Sequence, residues 1–451
     1  MLRLFAPVAL LPKGWAFDVL LEIAADGTFS SVTARSSSEG AAVLAGTVLP
    51  GMPNVHSHAF QRVLAGRTER RLPLATNEAD SFWTWREAMY ELVECLNPDQ
   101  FEAISAWAYI EMLKAGYTAV AEFHYLHHDL NGKPYDRRTE LSERVLAAAK
   151  TAGIGLTLLP VLYCYGDFAA HPPKPQQARF LLSLEGYVAL WEELCAIIGD
   201  NPHVRLGTAA HSLRAVGVRE LAALVEGIEA HDRRAPIHIH ISEQRPEVDA
   251  CRVTYGKSPI EYLYNAVKID DRWCLVHGTH MTSEELLHVV EAGAMVGLCP
   301  TTEANLGDGI FPATEFARKG GRFGVGSDSN VSIDVAEELR WLEYTQRLRD
   351  RRRVLLASKT VTSVGDYLYR SAVLGGKQAS GREIGALVAG ARADLVVLDG
   401  CMTLDAYIFS AGRSAVRDVM VGGAWVVQER RHPGEEEALR AYQRAVDTLT
   451  G

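Results

Sequence analysis

The spacing of hydrophobic and polar residues changes near residue 50. Before that point, the stretch AFDVLLEIAADGTFSSVTA at 16–34 alternates apolar and polar positions around Asp26-Gly27, a pair typical of hairpin turns. After it, short apolar segments alternate with long amphipathic stretches, a rhythm that indicates strands followed by helices in a parallel sheet. The pattern therefore predicts an opening β region over residues 1–50 and a repeating βα region after it.

The repeating region contains eight strand–helix units. Its predicted strands are TVLPGMPNVHSH, YTAVAEFHYL, GLTLLPVLY, HVRLGTAAHSL, APIHIHISE, RWCLVHGTH, AMVGLCPT and RFGVGSDSN. Eight such units in succession are typical of the α/β class and favour a (β/α)₈ TIM-type barrel, which we place at residues 51–378. No G-x-G-x-x-G follows the early strands, so the usual dinucleotide-binding interpretation is not supported.

The two ends of the chain are predicted to form a second, smaller unit. Residues 379–451 return to a β-type alternation in GALVAGARADLVVLDG and VRDVMVGGAWVVQE, and they finish in a helix. A chain of 451 residues suits one large domain with a smaller one. We therefore expect residues 1–50 and 379–451 to build a small β-sandwich domain beside the barrel.

Histidines and an aspartate fall at the ends of the predicted strands. His56 and His58 end the first strand, His240 the fifth, and Asp328 follows the eighth. In a barrel these ends share one open face, and residues at i and i+2 of a strand point the same way. Imidazoles on one face can bind a single cation that a carboxylate completes. We therefore predict that these four residues bind a metal ion and leave one position open for water.

Glu243 and His277 are the remaining candidates for chemistry at this face. Glu243 lies three residues after His240, where it could reach a metal-activated water and move protons without binding the metal. His277 ends the sixth strand. Each histidine alone could equally be a hydrogen-bonded core residue. The ordered occurrence of all of them at strand ends favours a metal site.

These motifs resemble a known family. H-S-H at 56–58, H-I-S-E at 240–243, LVHGTH and GVGSDSN resemble the amidohydrolase superfamily, in its single-metal aminohydrolase branch. The GARADLVVLD segment resembles the β strand that follows the barrel in that family. The fourth strand ends in His211 rather than in the lysine that bridges two metals, which favours one ion. The resemblance implies one divalent ion per chain, expected to be Zn²⁺.

Longer motifs resemble the N-formimino-L-glutamate deiminases of histidine degradation within that branch. They are PNVHSHAFQRVLAGR, SFWTWREAMY, AEFHYLHH and AAHSLRAV. The resemblance implies hydrolysis of formiminoglutamate to N-formyl-L-glutamate and ammonia, with Glu243, His277 and Asp328 as catalytic residues. It also implies substrate contacts from five residues, namely Gln61, Arg86, Tyr125, His211 and Arg214.

The proposed substrate carries two carboxylates, so its pocket needs cationic donors. Arg86, in a predicted loop after the first strand, and Arg214, three residues after His211, could each bind a carboxylate with two parallel hydrogen bonds. Trp83 and Trp85 could form an apolar wall of the pocket or simply pack beneath the loop.

Two alternatives stay open at this stage. A nucleobase or triazine aminohydrolase would share the metal ligands, but its pocket would need aromatic and amide groups around a planar ring. A non-catalytic, dihydropyrimidinase-like scaffold would share the fold, but such proteins tend to lose metal ligands that this chain keeps.

Composition limits the kinds of partner and the cellular compartment that we expect for this protein. The net charge is −10, and RLRDRRR at 347–353 is the one basic run, which we interpret as the solvated face of a helix, so nucleic acid is not expected as a partner. No apolar run approaches the length of a membrane span. The seven cysteines are scattered without a C-x-x-C pair, which argues against disulfides and cysteine–zinc sites. We expect a cytoplasmic homodimer that acts on a small dianion.

Overall fold

The computed structural model describes residues 1–69 and 81–450. The strands are β1 (Leu2–Leu11), β2 (Gly14–Ile23), β3 (Phe29–Thr33), β4 (Ala42–Val43), β5 (Thr47–Pro50), β6 (Met52–Ser57), β7 (Tyr117–His124), β8 (Gly155–Leu162), β9 (Val204–Leu206), β10 (Thr208–Ser212), β11 (Ile237–Ile241), β12 (Trp273–His277), β13 (Met295–Leu298), β14 (Arg322–Val325), β15 (Leu395–Leu398), β16 (Val416–Val421) and β17 (Ala424–Val427).

The helices are α1 (Phe82–Cys95), α2 (Pro98–Lys114), α3 (Glu140–Ala152), α4 (Leu184–Ile198), α5 (Val218–His231), α6 (Arg245–Tyr255), α7 (Pro259–Ala266), α8 (Ser283–Glu291), α9 (Pro300–Leu306), α10 (Ala313–Arg318), α11 (Val335–Asp350), α12 (Val364–Ser380), α13 (Leu404–Ala406) and α14 (Glu435–Thr450). In the part of the chain that the structure describes, no helix has the length and apolar character that a membrane-spanning segment requires.

The predicted barrel is confirmed. Its strands pair in parallel in the order β14-β13-β12-β11-β10-β8-β7-β6, with the short β9 attached to β8. A parallel bridge between Ser57 and Asp328 brings the two edge strands together and nearly closes the ring. The eight strands match the eight that the sequence predicts, because each is a mostly buried run of residues followed by helical structure.

Both chain ends form one mixed sheet, as expected for a small β unit built from the two termini. Its order is β17-β16-β15-β5-β1-β2-β3, with β4 added beside β1. The expected sandwich is refined in one respect, because hydrogen bonds join all eight strands into a single sheet. An apolar cluster that includes Leu4, Leu21, Val48, Leu395 and Met420 forms its core.

The chain passes from one sheet to the other at Gly51, between β5 and β6. Gly51 cannot be enlarged without displacement, since an added Cβ would lie 2.2 Å from Thr118 Oγ1. Helix α14 lies against α2 of the barrel, where Trp107 and Tyr442 stack with ring centroids 6.1 Å apart. The division into domains at residues 1–50, 51–378 and 379–451 stays a prediction.

Helix α1 corrects one expectation. The SFWTWREAMY segment, expected as a loop, forms the N-cap and about the first two and a half turns of this helix. Ser81 Oγ accepts a hydrogen bond from the Trp83 backbone N–H, and Thr84 Oγ1 accepts one from the Ser81 backbone N–H. This reciprocal capping box starts the helix, and threonine takes the place of the more usual glutamate or glutamine.

Candidate active site

Four side chains converge at the carboxyl end of the barrel. His56 Nε2 lies 3.2 Å from His58 Nε2 and 2.9 Å from His240 Nε2. Asp328 Oδ1 lies 3.4 Å from Nε2 of both His56 and His58. All four residues are buried. The structure thus brings together the whole set that the sequence singles out as metal ligands.

Backbone hydrogen bonds across the closing edge of the barrel position this cluster. Asp328 N–H donates to His56 O at 3.0 Å, and His58 N–H donates to Asp328 O at 2.9 Å. Asn330 Nδ2 donates to His58 O at 3.1 Å and to Asp328 O at 2.9 Å. Asp328 and Asn330 have φ values of +44° and +56°, so the turn after β14 is tightly specified. The hydrogen bonds that close the barrel therefore also fix the positions of the clustered side chains.

The donor set suits a divalent cation. Burial lowers the pKa of the His58 imidazole to about 3, with the charge of His56 adding to the effect, so the ring is neutral and offers a lone pair. Its Nδ1 hydrogen-bonds Phe123 O at 2.9 Å, which leaves Nε2 free for a metal. Burial raises the pKa of Asp328, but contacts with His56 and His58 outweigh it and hold that pKa below its usual value. Three imidazole nitrogens and a carboxylate match the ligand preference of zinc.

Glu243 and His277 lie beside the cluster. Glu243 Oε1 is 3.7 Å from His277 Nε2, and that nitrogen is 3.9 Å from Asp328 Oδ2. Burial raises the pKa of Glu243 to about 7, against the opposing charges of His277 and Arg214. Burial lowers the pKa of His277, but the charge of Glu243 and a hydrogen bond with Glu303 reverse the effect and raise it to about 10.

A single cavity is lined by three of the four candidate metal ligands and by every residue expected to contact substrate. It is lined by His58, His240, Glu243, His277 and Asp328 together with Gln61, Arg86, Tyr125, His211 and Arg214. Further lining comes from aromatic side chains that the sequence did not single out, among them Tyr90, Tyr163 and Phe180. The cavity is thus cationic and polar at some points and aromatic over much of its wall.

The neutral donors in this cavity are held in place. Gln61 Nε2 donates to Tyr125 Oη at 2.7 Å, and Gln61 Oε1 is buried without a partner among the described residues. The ring of His211 lies 4.7 Å from the ring of Tyr163 and 5.0 Å from that of His240. Burial, followed by the charge of Arg214, lowers the pKa of His211 well below its usual value. His211 is therefore a neutral hydrogen-bonding group.

The two arginines have no acidic partner within 4.0 Å in residues 1–69 and 81–450. Over the same residues, the buried Nε atoms of Arg86 and Arg214 lack hydrogen-bond partners. Their Cζ atoms lie 4.3 Å and 5.8 Å from the centroid of the Trp83 ring. Glu247 and Glu243 lie beyond ion-pair distance of Arg214. Burial lowers the pKa of the Arg214 guanidinium, but the charges of these two carboxylates outweigh it and raise that pKa. Two cations that line a cavity and form no ion pair with the described part of the protein are suited to bind an anionic ligand.

Two acidic residues near the site were missed. Glu303 Oε1 lies 3.3 Å from His277 Nδ1, and Asp308 accepts a hydrogen bond from Gln244. Both follow β13, in a segment whose sequence shows only a short helix and a polar loop. Two further histidines are buried at the end of β7 and just after it, namely His124 and His127, and His127 Nε2 hydrogen-bonds Val161 O at 2.9 Å.

A nearly closed parallel barrel with clustered histidines and an aspartate at its strand ends defines the class of barrel hydrolases that use a metal ion. The chain belongs to the amidohydrolase family, whose model, described as "Amidohydrolase family", matches residues 47–426. Residues 1–44 match a second model, described as "Formimidoylglutamate deiminase HutF, N-terminal domain".

Individual relatives agree with this assignment. A formimidoylglutamate deiminase from Pseudomonas aeruginosa is 50% identical, with 100% of both chains covered. An 8-oxoguanine deaminase from the same species is 29% identical, covering 88% of this chain and 86% of its own. An amidohydrolase from Brucella melitensis has a solved structure that superposes with a TM-score of 0.94 at 44% identity over 100% of both chains. An adenosine deaminase from Xanthomonas campestris, solved with bound zinc, shares the fold with a TM-score of 0.80 at 21% identity, over 99% and 98% of the two chains.

Proposed function

We propose that this protein is a deiminase that hydrolyses N-formimino-L-glutamate to N-formyl-L-glutamate and ammonia in histidine degradation. The observation that carries the proposal is the pair Arg86 and Arg214, whose guanidinium groups face the same cavity as the candidate metal ligands. Formiminoglutamate presents two carboxylates, and the pair supplies one cation for each. The name of the 50% identical relative supports the same substrate.

We propose that His56, His58, His240 and Asp328 bind one divalent ion, Zn²⁺. The three converging imidazole nitrogens and the aspartate oxygen support this assignment, as does the zinc in the Xanthomonas adenosine deaminase. When bound, the ion lowers the pKa of a coordinated water and acts as a Lewis acid.

The binding residues orient the substrate. Arg86 and Arg214 bind the two carboxylates with charge-assisted hydrogen bonds. Gln61 and Tyr125 form one hydrogen-bonded unit next to His58, and His211 adds a neutral ring beside it. These contacts hold the formimino carbon at the metal end of the cavity. Holding the carbon in line with the attacking water accelerates the reaction by orienting the two reactants.

Glu243 moves the protons. It accepts a proton from the attacking water with the help of Asp328 and delivers it to the formimino nitrogen. A second proton, from the hydroxyl of the tetrahedral adduct, reaches the same nitrogen as the carbonyl forms, the carbon–nitrogen bond breaks and ammonia leaves. The pKa of Glu243, raised by burial to about 7, suits a group that must both accept and donate near neutral pH. His277, protonated over the same range because its pKa is raised to about 10, stabilises negative charge that develops on the attacking oxygen.

Ammonia release by purified, zinc-loaded protein tests the proposal. We expect turnover of N-formimino-L-glutamate, and a fall in kcat/KM of about 100-fold or more for Arg86→Ala and for Arg214→Ala, since each removes a charged hydrogen-bonding partner. Bound zinc stays near one per chain in both variants. Arg219→Ala is the matched control, because Arg219 is exposed on α5 five residues away.

The rival substrates belong in the same assay. Release of ammonia from guanine or cytosine, with none from formiminoglutamate, would replace the proposal by a nucleobase deaminase. A protein that binds no zinc and turns over none of these compounds would favour a non-catalytic scaffold.

The proposal extends to location and assembly. We propose a cytoplasmic enzyme, supported by seven cysteines that are all free. We also propose a homodimer, for which the exposed apolar side chains Trp341, Tyr344 and Leu348 of α11 offer a surface. Light scattering on the purified protein tests the second point, and a monomer at micromolar concentration would contradict it.

A further inference from the structure

One aromatic ring lies under both cations of the cavity. Arg86 Cζ is 4.3 Å and Arg214 Cζ is 5.8 Å from the centroid of the Trp83 ring, both within the range of cation–π attraction. Trp83 and Arg86 are three residues apart on α1, so they share one face of that helix. Arg214 comes from a different element, the turn after β10. The ring therefore links an outer helix to a strand end of the barrel.

Among the described residues, the Trp83 ring is the cation–π contact that the two guanidinium groups share. Arg214 is only 8% exposed and has no ion pair there. Arg86 has one further aromatic contact, Tyr90, at 5.6 Å. Two cations in one cavity repel each other, and a carboxylate of the protein between them would relieve the repulsion but would compete with an anionic ligand. An aromatic face attracts both cations and leaves their charge available.

We propose that Trp83 is a positioning residue that holds Arg86 and Arg214 together for a ligand with two carboxylates, and that it thereby sets the preference of the site for dianions. The inference rests on the proposed function for the identity of the substrate. Trp83 is not among the residues that line the cavity, whereas Trp85 of the same helix is. Trp83 therefore affects ligand binding through the two arginines. The size of its effect on affinity depends on whether a ligand binds one guanidinium group or both.

A purely structural role for Trp83 makes a different prediction. Its ring also packs against Phe82, with centroids 5.1 Å apart. If packing were its whole contribution, removing the ring would weaken every ligand to the same extent. If the ring positions the arginines, a dianion loses more than a monoanion, because only the dianion needs both guanidinium groups at once.

Binding of glutarate and butyrate to the zinc-loaded full chain separates these roles without requiring turnover. Calorimetry would compare wild type with Trp83→Met, which keeps an apolar side chain without a ring, and Trp83→Phe, which keeps a ring. We expect Trp83→Met to weaken glutarate about tenfold and butyrate about twofold, and Trp83→Phe to recover most of the difference, in line with the size of cation–π effects. Trp107→Met, a half-buried tryptophan of α2, is the control and should leave both affinities unchanged.

The inference is overturned if Trp83→Met weakens glutarate and butyrate by the same factor, or leaves glutarate binding as in wild type. A wild-type protein that does not bind glutarate overturns it as well. If Trp83→Met does not fold, Trp83→Phe decides alone, with a smaller but still selective loss of glutarate expected.

Turnover separates this inference from the proposed function. With N-formimino-L-glutamate we expect Trp83→Met to raise KM about tenfold and to change kcat by less than about threefold, since binding rather than chemistry is altered. Lack of wild-type turnover would reject the proposed function, while the glutarate series would still decide the role of Trp83. A fall in kcat at unchanged KM would contradict the positioning role.

Discussion

The imidazole of His277 is fixed by Glu303. His277 Nδ1 lies 3.3 Å from Glu303 Oε1, and the same oxygen accepts a hydrogen bond from the Cys299 backbone N–H at 2.8 Å. The His277 backbone has a φ of +69°, which a non-glycine residue adopts only where its surroundings enforce it. The Glu303 carboxylate accepts the proton on Nδ1 of the protonated ring, and Nε2 faces Glu243 and Asp328.

Glu303→Gln should lower kcat while leaving substrate binding and zinc intact. The amide keeps the shape of the side chain but not its charge, so His277 is held less firmly in its protonated form. We expect kcat to fall about 10- to 100-fold, the usual effect of losing a partner that orients a catalytic group, with KM within about threefold. Steady-state kinetics and zinc analysis check this. Wild-type kcat in both Glu303→Gln and Glu303→Ala would show that Glu303 has no positioning role.

The acidic limb of the pH–rate profile should report Glu243. Its carboxylate must be ionised to accept a proton, and burial raises its pKa to about 7, so kcat/KM should rise with pH through that value and be lost below it. Glu243→Gln should lower kcat by a factor of about 100 or more with zinc still bound. A Glu243→Gln protein that keeps both the rate and the acidic limb would exclude Glu243 as the proton shuttle.

Glu122 should make the protein less stable as pH rises. Glu122 lies on β7 beside β6, and its buried carboxyl group accepts a hydrogen bond from Ala59 N–H at 2.7 Å. Burial raises the pKa of this carboxyl group from 4.5 to about 8. Between those values the folded chain keeps a proton that the unfolded chain releases. Stability from this group is therefore present below pH 4.5 and falls, by at most about 1.4 kcal/mol per pH unit, until about pH 8.

Replacing Glu122 by glutamine removes that titration. Urea unfolding of zinc-loaded protein at pH 6 and pH 8 should show a smaller loss of stability for Glu122→Gln than for wild type. The exposed Glu226 provides the matched control, and Glu226→Gln should retain the wild-type difference. An equal pH dependence in wild type and Glu122→Gln would show that Glu122 is ionised in the folded protein.

Two histidines of the same strand should differ in their effect on metal content. His240 belongs to the cluster of converging nitrogens, whereas Nε2 of His238 hydrogen-bonds Ala379 O at 2.9 Å. We expect His240→Ala to lose most bound zinc and all ammonia release, because the change removes one of the three imidazole ligands of the site. His238→Asn should keep zinc near one per chain and lose only stability. Elemental analysis after gel filtration separates the outcomes, and full zinc occupancy in His240→Ala would contradict the ligand assignment.

Much of the fold and of the metal cluster could be predicted from sequence because their signals are local. Each barrel strand is a short apolar run, and His56, His240 and Asp328 lie within or just after such runs. The start of α1 was missed because its capping box uses Thr84 where glutamate or glutamine is usual. Glu303 could not be found, since its contact with His277 joins residues 26 positions apart through the turn after β13.

The pairing of strands in the small sheet also could not be predicted from the local sequence pattern. Alternation predicts strands at both chain ends, but whether they form one sheet or two depends on pairing between β5 and β15, which are separated by most of the chain. The role of Trp83 is similar, because its second cation, Arg214, is brought to it by the barrel. Contacts between residues that are far apart in the sequence could be identified only from the folded structure.

The most direct test of this account is the product analysis of N-formimino-L-glutamate incubated with zinc-loaded wild-type protein. We predict equal amounts of ammonia and N-formyl-L-glutamate, formed with a kcat/KM of about 10⁴ M⁻¹ s⁻¹ or higher, as expected for a physiological substrate. Formiminoglutamate recovered unchanged from a protein that retains one zinc ion per chain would contradict it.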